Sequence, residues 1–468
     1  MPTKWWTLLV VCLAVFMLLL DVTIVNVALP SIQKELGSSF EDLQWVVDAY
    51  ALALAAILLA SGSLGDLLGR RSVFVIGLVI FSSASLVCGL SGSPVMLNAA
   101  RAVQGAGGAM MFANSLALIA QEFPADERGT ALGIWGATTG FAVAVGPLAG
   151  GVLTDAFGWE WIFLVNVPIG LATLALTLMK VRDSERDPTA RIDWSGLVTF
   201  SSGLFCLVFA LIRGNDDGWG SPKIVVLLVA GAALLAAFAT VEHRRDQPML
   251  DLRLFRIPTF TGAQIVAFSI HASIFSMFLY ITLYMQNILR YSPLETGVRF
   301  LPVSLLSFIA APIAGKLAER YPVRLFLSVG LGLIGLGLLE MHGVKPDDDW
   351  TTLLPGFILA GIGIGFVNPP LATAAIGVVE PRRSGAASGI NSTARQVGTA
   401  VGIAGLGAIL QSKVSHGLSA GSLGGPAAAS TYIDALNDLF LVAAGVAFVG
   451  AASAAILIRR RDFDSAPA

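Results

Sequence analysis

The chain has 468 residues, of which 55% are hydrophobic and only 13% charged. A soluble domain carries about 25% charged residues, so too few charges remain here to cover a water-facing surface. The net charge of −2 argues against a nucleic-acid partner, which would favour a basic patch.

Apolar runs of about 20 residues, enough to cross a hydrocarbon core, recur along the whole chain. They predict an all-α membrane protein with spans at 5–29, 43–64, 73–91, 94–122, 130–153, 159–180, 196–213, 223–242, 259–288, 294–314, 323–342, 351–374, 387–413 and 435–458. The first run exceeds the roughly 7–15 residues of a signal-peptide core and no small-residue cleavage pattern follows it, so it reads as a span with Trp5 and Trp6 at the interface. Cys12, Cys88 and Cys206 all lie inside apolar runs and read as small hydrophobes.

Within the first span stands Asp21, in Leu20-Asp21-Val22-Thr23-Ile24-Val25-Asn26-Val27-Ala28-Leu29-Pro30. An acidic residue at the centre of a membrane helix costs about 2.5–3.5 kcal/mol, and nothing in this apolar helix requires one. Burial disfavours the charged form of a carboxyl, so such a group can exchange a proton for a substrate cation. An Asp that merely reaches water or caps a neighbour is the alternative. Spans two and three are joined by Gly62-x-Leu64-x-Asp66-x-x-Gly69-Arg70-Arg71. Its glycines permit a tight turn and close helix approach, and Asp66 with Arg70 and Arg71 can form ion pairs that open and close with a gate. A basic loop holding a satisfied Asp is the competing reading.

Span four carries Arg101, which stays charged and must find an anion or a wet cavity. Asp21 is its expected partner, both facing a central cavity; an Arg reaching for the outer surface is the alternative. The nearby Gly105-Ala106-Gly107-Gly108 run follows no strand and is rejected as a nucleotide loop. Span five holds Gly133, Gly136, Gly140, Gly146-Pro147 and Gly150-Gly151, small residues that allow close helix packing in lipid.

Two polar segments, 180–191 and 243–256, divide the chain into six, two and six helices. The expected domains are an N-terminal six-helix bundle at 1–180, linkers with two extra helices at 181–258, and a C-terminal bundle with its tail at 259–468. The gate-loop pattern returns as Gly315-x-Leu317-x-Glu319-x-x-Pro322-x-Arg324, at an offset of 253. Gly105, Gly129 and Gly133 match Gly361, Gly385 and Gly389 at an offset of 256. Parallel repeats of this kind predict a substrate site near mid-membrane at the repeat interface, and rocking of one repeat against the other. Candidate cavity residues are Asn26, Asp48, Gln104, Asn114, Trp135, His271, Phe275, Tyr280, Tyr284, Asn391, Arg395 and Gln396. Asp48 sits near an outer helix end, where water is the competing explanation.

Lys and Arg concentrate on alternate loops, among them Arg70, Arg71, Arg128, Lys180, Arg182, Arg244, Arg245, Lys316, Arg320, Arg324, Arg382, Arg383 and the tail 459–461. The positive-inside rule then makes both termini cytoplasmic in a cell (inner) membrane.

At these motifs the sequence resembles the drug:proton antiporter family of fourteen spans in the major facilitator superfamily. The 20–30 segment looks like that family's first-helix motif, Gly62 to Arg71 like the superfamily's gate loop, and Arg101-x-x-Gln104-Gly105-x-Gly107 like the span-four motif linked with proton transfer. Gly133 to Gly151 is similar to the antiporter motif, with Ala142 where Gly is usual; Pro248 to Leu252 and Asn391-x-x-x-Arg395-Gln396 are also typical. The resemblance covers essentially the whole chain. It implies the major facilitator fold and export of lipophilic, often cationic, small molecules driven by the proton gradient. It also implies Asp21 and Arg101 in proton coupling, no cofactor beyond the proton as coupling ion, and a monomer in the lipid bilayer. A dedicated exporter of one metabolite or antibiotic fits the same motifs. A lipid-modifying enzyme does not, for the chain has neither His-Glu-x-x-His nor a Walker loop, and only four histidines; the chain is expected not to be an enzyme.

Overall fold

The computed structural model describes residues 3–182, 193–245, 250, 252–318, 320–379, 384–417 and 426–464, with some side chains inside helices left aside. Among them every regular element is a helix. In hydrocarbon a helix satisfies its backbone groups within one segment, so long apolar runs fold this way. The first repeat comprises α1 (Thr3–Leu36), α2 (Phe40–Leu68), α3 (Arg70–Gly89), α4 (Pro94–Glu122), α5 (Ala125–Phe157), α6 (Trp161–Leu164) and α7 (Asn166–Lys180). Then follow α8 (Trp194–Asp217) and α9 (Pro222–Arg244). The remainder is α10 (Pro258–Ile270), α11 (Ser276–Leu283), α12 (Pro293–Arg299), α13 (Leu301–Ala318), α14 (Val323–Glu340), α15 (Leu354–Ile376), α16 (Ser384–Gly417), α17 (Pro426–Leu457) and α18 (Arg460–Asp464).

Local chemistry sets several boundaries. Ser39 and Asp42 form a capping box at the start of α2, and Ser292 with Glu295 repeats it at α12. Gly69, at φ 94°, is both the end of α2 and the start of α3. That left-handed backbone is open to glycine, so the tight turn expected of the loop is real. Pro147 lies inside α5 without ending it. Between α10 and α11, residues His271–Phe275 form a π turn, and Tyr284–Ile288 form another.

Twelve helices among the described residues are long and apolar enough to cross a membrane. The two remaining expected spans, 43–64 and 387–413, fall within α2 and α16, helices of 29 and 34 residues. Large apolar side chains such as Val95, Met179, Val226 and Ile456 are exposed, as on a surface that lipid covers. The chain is a multi-span membrane protein.

Contacts divide it into two compact units, Met1–Gly203 with Leu234–Leu252, and Leu204–Ala233 with Arg253–Ala468. In the first unit α4 packs on α2 and α3, α1 on α5, α4 and α7, and α3 on α7. In the second unit α15 packs on α13 and α14, α10 on α16, α15 and α17, and α14 on α17. Every pair in one set has its counterpart in the other, so the internal repeat seen in the motifs is also a repeat of packing. Glycines make the closest crossings in both. A Cβ on Gly105 would lie 2.4 Å from the Tyr50 carbonyl, and one on Gly361 would lie 2.7 Å from that of Val303. Gly77 and Gly107 meet backbone to backbone, as do Gly330 and Gly363. These partners stand at the same 253 and 256 offsets as the motifs.

Candidate functional site

Arg101 and Gln104 lie three residues apart on α4, hence on one face. The Gly105 crossing brings the α2 backbone against that face, so Arg101 Nε donates to the Val46 carbonyl at 2.9 Å. From α1, Asp21 enters the same space. Arg101 Nη1 donates to Asp21 Oδ2 at 2.5 Å and to Gln104 Oε1 at 2.7 Å. Gln104 Nε2 donates to Asp21 Oδ1 at 2.8 Å. The guanidinium also lies over the Tyr50 ring, 4.2 Å from its centroid.

α7 and α3 close the cluster from the other side. A Cβ on Gly170 would fall 2.0 Å from Ser82 Oγ, so the two helices nearly touch there. One turn away, Asn166 Nδ2 reaches Asp21 Oδ1 at 3.0 Å and Ser85 Oγ at 3.1 Å. Ser85 itself donates to the Phe163 carbonyl at 2.9 Å. Asp21 and Gln104 have no exposed surface, and Arg101 and Asn166 have 1%. The pair expected between Asp21 and Arg101 therefore exists, and Arg101 does not reach for an outer surface. The expectation that both face a cavity is corrected: in this state a polar network drawn from five helices seals them from water. Burying two charges is strongly unfavourable unless they are paired and hydrogen-bonded, and here each is both.

The antiporter-motif glycines touch this site. A Cβ on Gly146 would sit 1.8 Å from Thr23 Oγ1, and one on Gly150 would sit 2.7 Å from the Ile24 carbonyl. α5 is thus seated on α1 immediately beyond Asp21, with Pro147 and the buried Gly151 in the same stretch. Gly136 and Gly140 face open space instead, so close packing is not their role here.

In the gate loop, Arg70 Nη1 donates to the Ala117 carbonyl at 3.5 Å and Arg71 Nη2 to the Leu178 carbonyl at 2.9 Å. Both arginines hold helix ends. Gly62 has nothing within 4 Å of a Cβ and Gly315 makes only an ordinary contact with Pro369, so the expected close approach at these two glycines is not found; Gly69 makes the turn. Arg324 is exposed at the start of α14. The side chains of Asp66 and Glu319, expected to form ion pairs here, lie outside the described residues.

The expected cavity residues separate into three sets. Gln104 belongs to the Asp21 network. Asn114 is structural: its Nδ2 donates to the Ser61 and Met110 carbonyls at 3.3 and 2.9 Å, bridging α4 to α2. Asn26 bonds the Val22 carbonyl of its own helix, and Trp135 packs on Phe112 with ring centroids 5.8 Å apart. Tyr280 is buried and donates to the Ile403 carbonyl at 2.5 Å, and Tyr284 is buried too. Asp48 is not wet: it is fully buried, and neither of its oxygens has a donor among the described residues.

The third set forms a polar cluster in the second unit. Arg395 Nε donates to Asn391 Oδ1 at 3.3 Å and its Nη1 to Asn368 Oδ1 at 3.4 Å. Asn391 Nδ2 donates to Gln264 Oε1 at 3.2 Å. His271, on the π turn, stacks on Phe275 at 4.5 Å and shares a 3.2 Å bond with Thr399 Oγ1. Gln396, the next residue after Arg395, is half-buried. At the 256 offset, Phe357 and Ala360 replace Arg101 and Gln104, so the Asp21 network has no duplicate in the second repeat.

Ser85, Asn166, Tyr50, Asn368 and Gln264 were not singled out from the sequence. Each is an isolated polar residue in an apolar helix, a weak signal until the helix faces that meet are known.

Comparison with known proteins bears on this arrangement. The Major Facilitator Superfamily pattern matches residues 11–403. The chain is 38% identical over 414 residues to the multidrug resistance protein Stp of Mycobacterium tuberculosis, covering 88% of this chain and 77% of that protein. It is 38% identical over 427 residues to the puromycin resistance protein pur8 of Streptomyces alboniger, covering 90% and 84%. It is 36% identical over 413 residues to the tetracenomycin C resistance and export protein of Streptomyces glaucescens, covering 88% and 76%. Among solved structures, a bacterial homologue of the human lysosomal transporter Spinster, inward-facing and unoccupied, aligns with a TM-score of 0.67 at 17% identity, covering 99% of this chain and 98% of that one. That likeness speaks to the fold.

Proposed function

We propose, for a chain that belongs to the Major Facilitator Superfamily, that this transporter exports small lipophilic or cationic compounds in exchange for protons, by alternating access. It is a transporter and not an enzyme. Our reading counts α2 and α16 with the twelve apolar helices for fourteen spans, and places both termini in the cytoplasm of a bacterial inner membrane. The names of the relatives, which carry resistance and export, support the direction of transport.

One observation carries the proton reading: a carboxylate with no exposed surface, held by an arginine and two amides from three other helix positions. Protonating Asp21 removes the charge that holds Arg101. The guanidinium keeps the Val46 carbonyl, Gln104 and the Tyr50 face, so it remains supported while α1 is released from α4. Because Gly146 and Gly150 seat α5 on Thr23 and Ile24, a shift of α1 is felt at once in α5. Proton exchange with water then requires the conformation in which this network opens. The coupling is of two local states of one helix contact, which is what a transport cycle needs. The Arg395–Asn391–His271 cluster of the second unit is the proposed substrate contact, with Phe275 as its aromatic wall.

A narrower reading, one endogenous antibiotic as substrate, is favoured by relatives named for puromycin and for tetracenomycin C. Purified protein in liposomes with an imposed pH gradient, offered cationic, neutral and anionic compounds, separates the readings. Broad gradient-driven uptake of cations supports multidrug export. Transport of a single compound supports the narrow form, and transport indifferent to the gradient refutes proton exchange.

A further inference from the structure

A pair of carboxyl groups lies far along the chain from Asp21, where α8 begins and α9 ends. Asp193 and Glu242 are 4% and 2% exposed. One oxygen of each is well supplied. Asp193 Oδ1 accepts from the Gly196 N–H and from Ser195 Oγ, both at 2.8 Å, capping the first turn of α8. Arg245 Nη1 pairs with the same oxygen at 3.1 Å, and Arg245 Nη2 donates to Ser195 Oγ at 2.8 Å. Glu242 Oε2 accepts the Leu250 N–H at 2.8 Å. The remaining oxygens, Asp193 Oδ2 and Glu242 Oε1, are buried and have no donor among the described residues.

Those two atoms face one another. A Cβ on Gly196 would lie 2.3 Å from Glu242 Oε1 and 2.9 Å from Asp193 Oδ2. The two side chains are within hydrogen-bond reach, and only a residue without a side chain at 196 lets them meet. Two ionised carboxylates in this position repel, whereas one shared proton turns the contact into a hydrogen bond. Arg245 is the charged group that faces the pair among the described residues, and it supplies a single positive charge to Asp193. Two carboxylates and one guanidinium leave one negative charge over, which one proton neutralises.

We infer that Asp193 and Glu242 form a proton-binding site, in which a proton on Glu242 Oε1 bridges to Asp193 Oδ2 and latches the start of α8 to the end of α9. The proton sits on Glu242 because Asp193 already holds the helix cap and the arginine. Burial works against the charge on Asp193, yet its bonds from Gly196, Ser195 and Glu242 and the Arg245 charge hold its carboxyl below the usual range. Loss of the proton leaves two facing anions, which loosens the contact between the start of α8 and the end of α9. This site is separate from the Asp21 network, and the inference does not rest on proton-coupled export.

The test is an infrared pH titration of the carboxylic-acid carbonyl band, on full-length protein in lipid, for the wild type, Glu242→Gln and Asp193→Asn. Glutamine at 242 keeps the size, the acceptor for Leu250 and a donor to Asp193. The wild type should lose a protonated-carboxyl band as pH rises, and Glu242→Gln should lack that band at every pH. Asp193→Asn removes the neighbouring anion, so the band should titrate at least tenfold weaker in proton affinity. Hydrogen exchange of the peptide containing Gly196, at the start of α8, should accelerate with pH beyond the intrinsic rate in the wild type and not in Glu242→Gln. A titrating band unchanged in Glu242→Gln, or one that does not move in Asp193→Asn, overturns the assignment.

Discussion

Removing one partner of the Asp21–Arg101 pair should be costly in a way that removing both is not. In Arg101→Met the carboxylate keeps no exposed surface and retains only the amides of Gln104 and Asn166. Breaking a buried ion pair from one side costs about 3–5 kcal/mol. Both amides already bond Asp21 in the wild type, and each interhelical bond is worth only about 0.6 kcal/mol, so they offset none of that loss. Asp21→Asn should lose a similar amount, since Arg101 is left with carbonyl acceptors and the Tyr50 face. The double variant carries no orphaned charge. Its cost should fall below that of either single change, a coupling of at least about 3 kcal/mol, well beyond the roughly 0.5 kcal/mol scatter of additive pairs. Reversible unfolding in mixed detergent micelles measures all three. Gradient-driven efflux should be absent from every variant lacking the carboxylate, the stable double variant included. Additive single costs, or efflux restored in the double variant, would refute the view that the pair is both a structural tie and the proton carrier.

The glycine seat of α5 gives a paired prediction. Gly146→Ala places a methyl 1.8 Å from Thr23 Oγ1 and should destabilise by about 1–3 kcal/mol, as overpacking does, with slower transport. Gly140→Ala enters open space and should be neutral or stabilise by up to about 1 kcal/mol; thermal unfolding of both checks the contrast. Asn166→Leu withdraws one donor from the buried Asp21 and should destabilise by about 1–3 kcal/mol. Thermal unfolding with gradient-driven efflux checks this, and unchanged values in both would place Asn166 outside the site. At Asp193 the folded carboxyl is held low, so the native state binds fewer protons than the unfolded chain. Its contribution to stability is present above the ordinary carboxylate range and is lost as pH falls through the lowered value. Asp193→Asn should flatten that acid limb in an unfolding series over pH.

Much was legible in one dimension. Asp21 and Arg101 announced themselves because a charge in an apolar helix is expensive and must be answered. The repeat was legible because the same glycines recur at two offsets, and the structure shows why: at Gly105 and Gly361, and at Gly107 and Gly363, backbone meets backbone and no side chain fits. Gly69 was readable as a turn. Gly62 and Gly140 were misleading, since a small residue permits close approach without requiring it. Asp48 read as wet from its place near a helix end, and only the packing around it shows that it is dry.

By itself the sequence determined the class of molecule, the order of its helices, its duplicated plan and the one acid–base pair that insertion energetics single out. These depend on hydropathy and spacing, which a linear chain carries in full. Only the tertiary structure decided which helix faces meet. It brought Asn166 and Ser85 to Asp21, sealed that carboxylate from water, and set Glu242 against Asp193 across about fifty residues of chain. The reason is that a polar side chain in a membrane helix has several possible neighbours, and a rotation of the helix by a fraction of a turn, which costs the hydropathy pattern nothing, decides between a partner and lipid.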